Sequence, residues 1–168
     1  LKMVLLNKNR ISSLAGIEQL PAKELFLDNN QLTDLDPTPL AQRTAESKPK
    51  PVSAAASLPT FVTLAGERNK LTSLAGVGRL VNLKHLYLDR NQLRSLAGAE
   101  KLKKLKKLRV SHNKLKALTP LQADQLEELI ATDNQIAAAP DVFGPAGNKR
   151  PKIKRYDLRR NAITGVAA

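Results

Sequence analysis

The sequence predicts an α/β solenoid: a horseshoe of stacked short repeats with a parallel concave β-sheet and short helical or irregular convex segments. Three observations predict it. Seven asparagines, at positions 9, 30, 69, 91, 113, 134 and 161, each sit in the same apolar frame. Around Asn91 the frame reads Leu83-x-x-Leu86-x-Leu88-x-x-Asn91-x-Leu93-x-x-Leu96, and around Asn113 it reads Leu105-x-x-Leu108-x-Val110-x-x-Asn113-x-Leu115-x-x-Leu118. The asparagines are 21 or 22 residues apart except for two spacings, of 39 and 27.

Each element of the repeat has a physical reading. The LxL core alternates with period two, so its leucines point into the solenoid and the residues between them point outward from a short strand. The asparagine closes the strand, where its amide offers donors and an acceptor to backbone groups as the chain turns away. After it the unit continues as xLxxLxxLxxL, as in Asn9 to Leu20, and Leu-Ala-Gly recurs from 14, 64, 74 and 96. One repeat cannot bury its apolar edge alone, so stability comes from stacked neighbours.

With these residues in view, the unit resembles the leucine-rich repeat, in its short 22-residue intracellular class. It is similar to the repeats of a protein phosphatase regulatory subunit, of the A-prime protein of a spliceosomal small nuclear ribonucleoprotein, and of an axonemal dynein light chain. The resemblance covers nearly the whole chain and implies a binding scaffold without naming the partner. The array departs from the frame at Gly66 and Ala131, which replace the second strand leucine, and at Ala22, which fills the first leucine position. Those repeats are expected to be locally weaker. A frame that starts at Leu1 and stops near Ala168 without polar caps is expected to belong to a longer polypeptide or to be covered by a partner.

Residues 1–168 are read as one domain of about seven repeats carrying two insertions. The first, 36–59, holds five of the ten prolines and the stretch Ser53-Ala-Ala-Ala-Ser57. Its composition suits an extended loop, either a tolerated surface insertion or a partner-binding arm. The second, 140–152, is rich in Pro and Gly and runs into Lys149-Arg150-Pro-Lys152-Ile-Lys154-Arg155, either a polyanion-docking edge or a solubilising loop.

Charge divides the array. The chain carries +13. Residues 1–60 hold 7 Lys+Arg against 6 Asp+Glu, and residues 61–168 hold 21 against 9. A field of this kind favours polyanions, whether RNA or an acidic protein surface such as that of tubulin. The expected polyanion-binding residues are Lys103, Lys104, Lys106, Lys107, Arg109, Lys149, Arg150, Lys152, Lys154, Arg155, Arg159 and Arg160. The lysine run from 101 to 109 is not read as a membrane helix, because Leu102, Leu105 and Leu108 are scaffold leucines.

The residue between the two strand leucines gives the outward column Leu5, Phe26, Ala65, Tyr87, Arg109, Ile130 and Asp157. Two positions earlier lie Met3, Glu24, Thr63, His85, Lys107, Glu128 and Arg155; two later lie Asn7, Asp28, Glu67, Asp89, Ser111, Thr132 and Arg159. Leu5, Phe26, His85, Tyr87 and Asp89 are the expected protein-binding residues, since aromatic anchors ringed by polar groups are what protein interfaces use. The alternative for these residues is ordinary surface apolarity and a hydrogen-bonding cluster of His85, Tyr87 and Asp89.

No catalytic residue, metal site or cofactor is expected. The chain has no cysteine and two histidines, and it lacks HExxH, GxSxG and a phosphate-binding glycine loop. Absence of cysteine favours a reducing intracellular compartment, with cytoplasm, nucleus, mitochondrion and flagellum all open. The expected function is a non-enzymatic scaffold within a large assembly, docking on RNA phosphates through the later repeats and on a protein through the early concave face. The alternatives are a cytoskeletal or axonemal adaptor binding tubulin or dynein and, third, a phosphatase regulatory subunit.

Overall fold

In chain order the strands of the computed structural model are β1 (Met3–Leu5), β2 (Glu24–Phe26), β3 (Thr63–Ala65), β4 (His85–Tyr87), β5 (Lys107–Arg109), β6 (Glu128–Ile130), β7 (Ala138–Ala139), β8 (Arg155–Asp157) and β9 (Gly165–Val166). The structure describes residues 2–14, 17, 20–36, 60–139 and 153–166. One parallel sheet has the order β1-β2-β3-β4-β5-β6-β8, and β7 and β9 form a second, two-stranded parallel sheet. Every repeat therefore adds one rung beside the last, which is what a solenoid of identical frames requires.

The register is the one the frame predicts. Leu5, Phe26, Ala65, Tyr87, Arg109, Ile130 and Asp157 align as one row across the main sheet, and Met3, Glu24, Thr63, His85, Lys107, Glu128 and Arg155 as another. Beneath them the inward row is fully buried at Leu25, Leu64, Leu86, Leu108 and Leu129, whereas its end members differ: Val4 is part-buried and Tyr156 is 42% exposed. On the convex side, two 3-10 helices, Val77–Arg79 and Ala99–Lys101, follow left-handed glycines at 76 and 98. A Cβ on Gly98 would lie 2.5 Å from the Leu74 carbonyl oxygen, so adjacent repeats touch there backbone to backbone. These glycines close the Leu-Ala-Gly motifs starting at 74 and 96, whereas Leu64-Ala65-Gly66 belongs to the strand region.

The asparagines form a ladder between repeats. Asn91 donates from Nδ2 to the carbonyls of Leu88 at 3.1 Å in its own turn and of Gly66 at 2.9 Å in the preceding one, while its Oδ1 accepts from the Leu71 N–H at 3.0 Å. Asn30, Asn69, Asn113, Asn134 and Asn161 repeat the pattern. The ladder spans both long spacings: Asn69 reaches Leu27 and Leu32, and Asn161 reaches Ala131 and Ile136. Neither insertion breaks the stack. Residues 37–59 and 140–152 lie outside the described residues, and with them Lys149, Arg150 and Lys152.

Ala22, Gly66 and Ala131, which depart from the frame, all lie in the buried interior. Ala22 and Ala131 are fully buried, and Phe61 occupies the first frame position on the rung next to Ala22, a large residue beside a small one. At Gly66 the Leu88 methyl lies 3.3 Å from where a Cβ would stand.

A feature unannounced by the motif is the residue before each asparagine. Lys8, Asn29, Arg68, Arg90, His112, Asp133 and Arg160 all have φ between 54° and 58°. This left-handed turn redirects the chain off the sheet, and in six of seven repeats a residue other than glycine or asparagine adopts it at some cost.

Candidate functional site

The concave surface is built from three in-register rows, and the structure assigns their side chains different duties. Leu5 is 65% exposed, while Phe26, His85 and Tyr87 are half-buried. Ala65, between Phe26 and Tyr87 in the same row, is only 4% exposed, so its larger neighbours shelter it. Ile130 is buried too. The outward column is thus an apolar and aromatic band at the early rungs that closes over its smallest member.

His85, Tyr87 and Asp89 do not act as one cluster. His85 and Tyr87 stack with ring centroids 6.4 Å apart, and the Thr63 hydroxyl lies 3.3 Å from His85 Nδ1. Asp89 instead accepts the Ser111 backbone N–H at 2.6 Å, and burial pushes its carboxyl above the usual range. It belongs to a second ladder in which Asn7 accepts from Asp28 N–H, Asp28 from Glu67 N–H, and Asp89 from Ser111 N–H. Partial burial, then the Lys107, Lys106 and Lys84 ammonium groups, lower the His85 pKa and so favour its uncharged ring.

The basic residues separate into engaged and open sets. Arg109 makes a 2.8 Å bond to Glu128 and lies 5.5 Å from the Tyr87 ring centroid, a charge pair and a cation–π contact together. Arg159 forks onto Asp157 at 2.7 and 2.9 Å and holds that carboxyl below the usual carboxylate range. Arg160 pairs with Asp133 at 2.8 Å. Glu127 takes Lys154 at 2.6 Å and Lys106 at 3.8 Å, and the Lys154 hydrogen bond lowers its pKa. Lys104 donates to Asn82, an uncharged partner that leaves its ammonium uncompensated. Lys103 is exposed on the turn before β5, off the concave face. Among the described residues Lys107 and Arg155 have no carboxylate partner within ion-pair distance.

Lys84 is not among the residues expected from the sequence. It precedes β4, and the N–H groups of both Lys106 and Lys107 bond to its carbonyl at 2.7 and 2.9 Å, which places the three lysines on neighbouring rungs beside His85. The signal lay in the column one before each strand: Lys2, Lys23, Val62, Lys84, Lys106, Glu127 and Lys154. Five of these seven are lysine, so the sheet has a basic edge along its length, interrupted at Val62 and Glu127.

A seven-rung parallel sheet, an asparagine ladder and a buried leucine core define a repeat solenoid. Residues 81–123 match the family model described as Leucine Rich repeats (2 copies). The match supports leucine-rich repeats in that segment, and the single open parallel sheet fits a leucine-rich repeat solenoid, a fold that indicates a protein-interaction scaffold. No curated protein matches it. Among the described residues no group of three or more His, Cys, Asp or Glu could hold a metal ion, and no helix is long and apolar enough to cross a membrane.

Proposed function

We propose that the protein is a non-enzymatic scaffold within a ribonucleoprotein assembly, holding a protein neighbour on the early concave face and RNA phosphates along the basic edge of its later repeats. The observation that carries the second half is the convergence of Lys84, Lys106 and Lys107 on neighbouring rungs beside His85. Lys107 and Arg155 share one outward row, and neither is neutralised by a carboxylate among the described residues. Phosphate contacts of this kind give affinity without sequence reading. Few aromatic residues, 3% of the chain, also suit backbone recognition over base stacking. The open set is Lys84, Lys103, Lys104, Lys107 and Arg155.

The test is binding of a labelled RNA duplex across a salt series. Replacing Lys84, Lys107 and Arg155 by Gln is expected to weaken binding at least tenfold and to flatten the salt dependence, because a phosphate that the variant no longer neutralises keeps its counterion. Equal slopes for variant and parent would refute this site.

A further inference from the structure

We propose that the first four rungs of the concave face dock an extended cationic segment of a partner protein that carries an apolar anchor residue. This rests on the reading of that face as a protein-docking surface and adds the chemistry of what docks. Across β1 to β4 the three outward rows comprise twelve positions, which hold the carboxylates Glu24, Asp28, Glu67 and Asp89 and neither lysine nor arginine, in a chain of net charge +13. These twelve positions are acidic in a basic chain, and the lysine edge of Lys2, Lys23 and Lys84 lies one residue before them.

The carboxylates are also organised. Backbone bonds from the Asn29 N–H to the Glu67 carbonyl and from the Arg68 N–H to the Asp89 carbonyl set Asp28, Glu67 and Asp89 on successive rungs, roughly 5 Å apart. Asp28 and Asp89 each use one oxygen on a backbone N–H of the next rung, which anchors the outer members of the row. Burial raises the Glu67 carboxyl pKa, and Asp89 and Asp28 raise it further, so the row repels itself. A partner cation laid over it relieves that repulsion.

Directly beside this row runs the apolar band of Leu5, Phe26 and Tyr87. A small cation satisfies the carboxylates and leaves the band uncovered. Four rungs span about 15 Å, the reach of four or five extended residues, so one peptide strand covers both rows, with cations over the carboxylates and an apolar side chain against Phe26. A chain of +13 repels cations in general, so attraction of a basic peptide reports on this face.

The experiment uses the full chain and a fluorescein-labelled heptapeptide alternating lysine with phenylalanine or leucine, read by anisotropy, against the same peptide with glutamate for lysine. The lysine peptide is expected to bind and the glutamate peptide to fail. Replacement of Glu24→Gln, Asp28→Asn and Glu67→Gln together should weaken binding at least tenfold, and Asp124→Asn, on the exposed turn before β6, should leave it unchanged. Asn at 28 keeps the acceptor for Glu67 N–H, and circular dichroism verifies the fold. Wild-type affinity in the triple variant, or equal binding of the glutamate peptide, overturns the proposal. If Phe26→Ala with Tyr87→Ala still weakens binding in that case, the docking face stands and only its cation preference falls; if it does not, both fall.

Discussion

Arg109 holds its guanidinium 5.5 Å from the centre of the Tyr87 ring while bonding Glu128 at 2.8 Å on the other side. It therefore joins β4 to β6 through β5, at the boundary where the acidic early face meets the basic later one. As a polyanion ligand it is already occupied. Arg109→Gln is expected to destabilise the chain by about 1 kcal/mol, from one part-exposed ion pair and one cation–π contact. Its RNA affinity should fall far less than that of Lys107→Gln, whose stability should match the parent. Urea denaturation and RNA titration of the two variants separate the roles.

Asn113 and Asn9 share one motif position and differ in consequence. Asn113 is buried, donates to the Leu88, Val110 and Ser111 carbonyls, and accepts from Leu93 N–H. Asn113→Ala strands these groups without water, costing about 3 kcal/mol or more. Asn9 is exposed and donates to Leu6 and Asn7, so Asn9→Ala is expected to cost under about 1 kcal/mol. Equal destabilisation of the two in chemical denaturation would contradict the ladder as the source of inter-repeat stability.

Gly98 combines φ of 103° with a 2.5 Å approach to the Leu74 carbonyl oxygen. Gly98→Ala must shift two repeats apart or leave the left-handed region, and a destabilisation of about 2 to 4 kcal/mol is expected. Gly165, with nothing within 4 Å of its would-be Cβ, should accept alanine within about 0.5 kcal/mol. Thermal melts of the pair measure the difference.

Glu67 supplies a pH prediction. Its folded pKa is raised, so its contribution to stability is present below its unfolded pKa and is lost as pH rises through the folded value. Glu67→Gln should therefore be more stable than the parent at neutral pH, by about 0.5 kcal/mol given its partial exposure, and equal to it below the ordinary glutamate range. A variant less stable at pH 7 would show that the acidic row stabilises the fold.

The motif specified the strands and their register closely, because a 21- or 22-residue frame with a fixed asparagine admits one way of stacking. Phe26, Tyr87 and Leu5 could be placed outward from spacing alone. Other features were hidden for physical reasons. The left-handed residue before each asparagine is Lys, Asn, Arg, Arg, His, Asp or Arg, so no glycine announces it. Asp89 looked available beside Tyr87, yet the neighbouring rung presents Ser111 N–H to it, a partner 22 residues away. Arg109 with Glu128 and Lys154 with Glu127 are likewise 19 and 27 residues apart in sequence and one rung apart in space. Charges taken in sequence order overstate the open basic surface; aligned by rung, they divide into neutralised and open sets, and Lys84 joins the second.

Affinity purification of the native protein from its own cells, with and without RNase, followed by identification of what co-purifies, bears most directly on the ribonucleoprotein scaffold. RNA is expected in the untreated sample, together with a set of ribonucleoprotein subunits that RNase releases. An unchanged, RNase-resistant set containing tubulin or dynein chains would contradict the scaffold's place in a ribonucleoprotein.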